Sequence, residues 1–100
     1  MSHLHAAEIR RLSGEALQSV AGRSAAAVEV DLAPDAEDRL AYFIAFVFAQ
    51  DRGGPPDALT RIRVAQTIRD GLIAAGDEHY PFVRFLSQAD WNDRGHARAG

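Results

Sequence analysis

Arg69 is the residue whose position most invites chemistry. On a helix spanning 57–75, its direction falls inside the apolar arc, between those of Ile62 and Ala65. Arg61 projects close to Ile68 and Leu72 on the same wheel. A guanidinium held inside an apolar arc needs a partner, because an unpaired charge in a core costs several kcal/mol. Its planar fork suits a carboxylate or phosphate gripped by two hydrogen bonds. One reading is therefore an anion pocket formed by Arg69 and Arg61 with the carboxylates Asp38 and Asp51 nearby. The other is an internal ion pair with Asp38 or Asp51, or an arginine stem that lies on apolar surface with its head in water.

A second group is Asp77-Glu78-His79, followed by Asp90, Asp93 and His96. Carboxylates and imidazoles are general acids and bases and ligands for hard metals. Their spacing matches no metal motif, and capping of a helix that follows Pro81 accounts for Asp77 to His79. His3 and His5 form a third group. With Met1 removed, the terminal amine, the next amide and the imidazole can chelate Cu(II) or Ni(II), but terminal tails acquire such sequences by chance and an inert tail is the favoured reading. No metal site is assigned, and no cofactor is expected.

Several chemistries are excluded by residue type. The 11 cations are all arginine, so no lysine amine is present for a Schiff base or a phosphate loop. The absence of cysteine removes disulfides, thiolate zinc sites, iron–sulfur ligation and thiol nucleophiles together. Ser13, Ser19, Ser24 and Ser87 lie in no nucleophile-elbow pattern. Gly53-Gly54 leads into Pro55-Pro56 and not into a phosphate-binding lysine. A net charge of −3 argues against a phosphate-neutralising surface.

The elements that must position these residues read as mainly α. A first helix runs from Leu4 to Gly22, with Ile9, Leu12, Ala16, Leu17 and Val20 on one face. Val28, Val30 and Leu32 alternate with Glu29 and Asp31, so 27–32 is a connector or a short strand whose obvious partner is the same segment of a second copy. Residues 34–52 are read as a central helix that starts at Pro34 with Asp35, Glu37 and Asp38, and is apolar on every side from Leu40 to Ala49. Asp57 caps a third helix that ends near Ala75 with Gly76 as its stop. Its stripe is Leu59, Ile62, Ala65, Ile68, Leu72 and Ile73. A fourth helix follows from Pro81 to Ala89, with Phe82, Phe85 and Leu86 turned inward and Trp91 closing the core.

These readings give one compact four-helix domain over 1–100, with flexible ends at 1–3 and 93–100. The N-terminus lacks the apolar run of a signal peptide, the longest run, Leu40 to Ala49, is about half a membrane span, and the expected location is the cytoplasm. Function is argued by exclusion. The expected class is a non-catalytic protein-interaction module: a small bacterial-type regulator, adaptor or toxin-neutralising partner. Tyr42, Phe43, Phe46 and Phe48 are the candidate interface residues, and a homodimer or another protein is the expected partner. The alternatives are an anion-binding protein or enzyme built on Arg69, and a dimeric helix-turn-helix regulator that reads DNA with the Pro81–Ala89 helix.

Overall fold

The computed structural model describes residues 5–99, with the side chains of residues 52 and 94–99 left undescribed. Helix α1 spans Ala6–Ala21, strand β1 Ala27–Pro34 and strand β2 Leu40–Phe48. A short 3-10 turn over Gln50–Arg52 precedes helix α2 (Ala58–Ala74), strand β3 (Tyr80–Ser87) and helix α3 (Gln88–Ala99). The strands form one sheet in the order β1-β2-β3. Strands β1 and β2 are an antiparallel pair, whereas β3 runs parallel to β2 after the α2 crossover.

The all-α, four-helix expectation is therefore overturned: this is an α/β fold with three helices on a mixed sheet. The central helix expected over 34–52 is instead a hairpin turn, β2 and the 3-10 turn. The physical reason lies in Leu40–Phe48 itself. Its Tyr, Phe, Ile and Val residues are β-formers, and a strand flanked on both sides has little need of polar alternation. An unbroken apolar run of this length fits a buried strand as well as a buried helix. Asp35 marks the break between β1 and β2, because its carboxylate accepts the amides of Glu37 and Arg39 at 2.8 and 3.0 Å. That is turn chemistry and not a helix start.

The alternating segment 27–32 is a strand, extended to Pro34, and its partner is β2 of the same chain. The fourth helix, Pro81–Ala89, is overturned as well. Residues 80–87 are β3, and helix begins only at Gln88. The helix-turn-helix pairing thereby loses its reading helix. The first and third expected helices are present as α1 and α2. Asp57 caps α2 by accepting the Thr60 amide at 2.9 Å.

Both of these helices cover one face of the sheet. Ile9, Ala16 and Leu17 of α1 and Val64, Ile68 and Leu72 of α2 bury against Tyr42, Ile44, Phe46 and Phe48 of β2. Phe46 is fully buried and stacks on Phe85 at 5.3 Å between ring centres. The helices approach closely at Gly71, where a Cβ would lie 3.2 Å from the Leu12 side chain. The buried stripe of α2 is rotated from the expected one, leaving Leu59, Ile62 and Ile73 more than half exposed. Trp91 on α3 lies on the side of the other face, where it lines a hollow together with Ala45 and Leu86. No helix among the described residues is long and apolar enough to cross a membrane.

Candidate functional site

The crossover from α2 to β3 is set by its glycine. The amide of Gly76, at a φ of 83°, donates to Ile73 O, and the Asp77 amide donates to Leu72 O, both at 2.9 Å. This double closure is the Schellman pattern, in which only glycine takes the left-handed position without strain. It turns the Asp77 side chain inward, where only 2% of the residue remains exposed.

There Asp77 Oδ2 accepts the Tyr42 hydroxyl at 2.5 Å, and Oδ1 accepts the His79 amide at 3.0 Å. The same Oδ1 lies 2.7 Å from His79 Nδ1. The Tyr42 and His79 rings meet edge-on at 5.4 Å. A carboxylate on Nδ1 fixes an imidazole's tautomer and orientation, which is the arrangement of a general base. Here, however, the associated hydroxyl belongs to Tyr42, a buried core residue of β2. Tyr42, Asp77 and His79 line neither of the hollows described below. The arrangement fastens the crossover to the central strand.

The four residues of the expected anion set do not gather. Arg69 is exposed, and its guanidinium lies over the Tyr80 ring, 5.1 Å from the centre, at the start of β3. No ion pair of Arg69 occurs among the described residues. Arg61 lies near the other end of β3, beside Phe85 and Leu86. Asp38 is exposed in the β1–β2 turn, and Asp51 is exposed in the 3-10 turn. Of the four expected interface aromatics, Tyr42, Phe46 and Phe48 are core, and only Phe43 reaches the second sheet face, where it stacks on Phe82 at 5.3 Å.

The histidines and remaining carboxylates also stand apart. The His5 amide donates to Glu8 Oε1 at 2.9 Å at the start of α1. Ser87 accepts the Asp90 amide at 3.1 Å where α3 begins, and Asp93 is exposed. His3 and the His96 side chain lie outside the described residues. Among the described residues, no group of three or more metal-ligating side chains is placed to hold an ion.

Two hollows border β3. One runs between α2 and the outer edge of β3, about 470 Å³ in volume, with Ile62, Ala65, Val83 and Phe85 flanked by Arg61 and Arg84. Its charged lining residues are both cationic, in a chain of net charge −3. The other lies on the second sheet face beneath Trp91, about 460 Å³, with Glu29 and Asp31 on one wall and Arg84 on the other. Sequence reasoning missed both. Its available signals were the alternation Phe82-Arg84-Leu86 and the acidic alternation of β1, read correctly only once both segments are strands.

No family model, curated protein or solved structure matches this chain.

Proposed function

We propose that this chain is a non-catalytic protein-interaction module that receives an acidic, extended segment of another protein along the free edge of β3. The observation that carries the reading is the cationic apolar groove beside an unpaired strand edge. Strand β3 pairs with β2 alone, so its outer backbone groups have no strand partner among the described residues. An extended peptide can add there as a further strand, gaining affinity from main-chain hydrogen bonds and specificity from alternate side chains.

The chemistry of the margin selects the occupant. Ile62, at 58% exposure, offers an apolar anchor, and Arg61 and Arg84 call for carboxylates. The opposite edge of the sheet is fenced, because Arg10 Nε donates to Val28 O of β1 at 3.2 Å. A second copy is a poorer match through this edge: antiparallel β3–β3 pairing across a two-fold axis draws the Arg84 side chains of both copies into one interface.

A fluorescent synthetic strand of alternating glutamate and valine tests the reading, with the lysine–valine strand as its control. Saturable binding of the acidic strand is expected, weakened about tenfold or more in Arg61→Glu and Ile62→Asp, and falling with added salt. Equal binding of the lysine strand, or no binding of either, refutes it. Light scattering that shows a dimer broken by Ile62→Asp would assign the groove to a second copy and would also refute it.

A further inference from the structure

We infer that the hollow beneath Trp91 is a binding site for a small dipolar molecule, with an amine at one end, a carboxylate at the other and a flat apolar body between them. The volume of about 460 Å³ lies within the range of small-molecule pockets, roughly 300–1,000 Å³. Such pockets combine an apolar lining with a few convergent polar groups. Here Phe43, Leu86 and Trp91 supply the apolar part.

The sheet register sets the charges. Glu29, Ala45 and Arg84 form one row across the three strands. Neighbouring strands stand about 4.8 Å apart, so the backbones at Glu29 and Arg84 are separated by roughly 9–10 Å. Between them lies only the methyl group of Ala45. Asp31 stands on the same face of β1, two residues along from Glu29, and reinforces the negative wall. No ion pair or hydrogen bond engages the side chains of Glu29, Asp31 or Arg84 among the described residues.

The opposite charges thus face one another across a slot with a small floor, and among the described residues neither wall has an ionic partner. A single anion would leave the carboxylates unmatched and repelled, and a single cation would do the same to Arg84. A molecule carrying both charges at its ends satisfies both walls, and an aromatic body between them fits against Phe43 and Trp91. The pocket requires no second protein and lies on the opposite sheet face from α2, sharing only Arg84 and Leu86 with the β3 groove.

Trp91 is the only tryptophan in the chain, so its fluorescence reports this site directly. The full chain is titrated with para-(aminomethyl)benzoate, and separately with para-methylbenzoate and para-methylbenzylamine, which each carry one charge. A saturable change with the dipolar probe is expected, at concentrations at least about tenfold below those needed for either control. Glu29→Gln should weaken the dipolar probe about tenfold without weakening para-methylbenzoate, and Arg84→Gln should weaken it likewise without weakening para-methylbenzylamine. Both residues are exposed, and circular dichroism and the thermal midpoint verify that each variant is folded. Absence of a saturable change with wild type up to about 10 mM, equal response to all three probes, or an unaltered response in Glu29→Gln overturns the inference. Arg61→Glu is expected to leave this titration unchanged, so failure here and failure of the interaction groove are separate results.

Discussion

The Tyr42 hydroxyl donates to Asp77 Oδ2 at 2.5 Å across 35 residues of chain, joining the central strand to the turn that launches β3. Both residues are almost completely buried. Removing one partner of a buried hydrogen bond leaves the other desolvated and unmatched, which costs about 1–3 kcal/mol. Tyr42→Phe should therefore lower unfolding stability in urea by about that amount. Asp77→Ala should cost more, because it also removes the acceptor for the His79 amide. A loss below about 0.5 kcal/mol in Tyr42→Phe would show that the bond does not anchor the crossover.

The two faces of β2 should respond differently to truncation. Phe46 is fully buried among Phe48, Phe85 and the helices, and Phe46→Ala should cost about 3–5 kcal/mol. Phe43 stands on the second face, partly exposed, and its stacking on Phe82 supplies about 0.5–1.5 kcal/mol beyond area. Phe43→Ala should thus cost clearly less than Phe46→Ala. Equal losses in chemical denaturation would contradict the alternation of faces along this strand.

That same strand shows where the sequence was legible and where it was not. Helices α1 and α2 were readable because each carries a polar face, so their period of 3.6 appears beside a cap or a stop such as Asp57, Gly22 and Gly76. Strand β2 has apolar residues on both faces, and the period that separates helix from strand vanishes when no polar residue marks it. Pro81 reads as a helix start, yet it lies in β3, which is an edge strand where a missing amide is tolerated. With two strands mistaken for helices, Glu29 and Arg84 had no common row, and the slot between them was invisible. The exposure of Arg69 is hidden in the sequence for a related reason. A helical projection gives a direction but not what lies there, and the ring of Tyr80 meets its guanidinium in place of a carboxylate.

Ser13 is a polar residue that the fold buries without compensation. It faces inward on α1 with no exposure, and its hydroxyl has no hydrogen-bond partner among the described residues. A desolvated, unpaired hydroxyl is a standing cost, and serine is also a poorer helix former than alanine. Ser13→Ala removes one oxygen and should stabilise the chain by about 0.5–1.5 kcal/mol, raising the urea midpoint with an unchanged slope. A destabilised variant would indicate that the hydroxyl is matched in solution.

Acid should weaken the fold through one turn carboxylate and one cap carboxylate. The Thr60 side-chain hydrogen bond, the Thr60 amide and the nearby Arg61 and Arg63 hold the Asp57 carboxyl below its ordinary value of 3.8. The Arg39 amide, followed by that of Glu37, does the same for Asp35 in the β1–β2 turn. A carboxyl whose folded pKa is depressed binds protons more readily in the unfolded chain. Its stabilising contribution is therefore fully present above the unfolded value and is lost as pH falls through the lower, folded one. Asp57→Asn keeps an oxygen acceptor for the Thr60 amide but removes the titrating charge. Urea midpoints measured between about pH 7 and pH 3 should drop for wild type, and drop less for Asp57→Asn combined with Asp35→Asn. The double variant should start with a lower midpoint at neutral pH, and its gap to wild type should narrow as the pH falls. Parallel midpoint curves across the whole range would mean that these two groups do not couple protonation to folding.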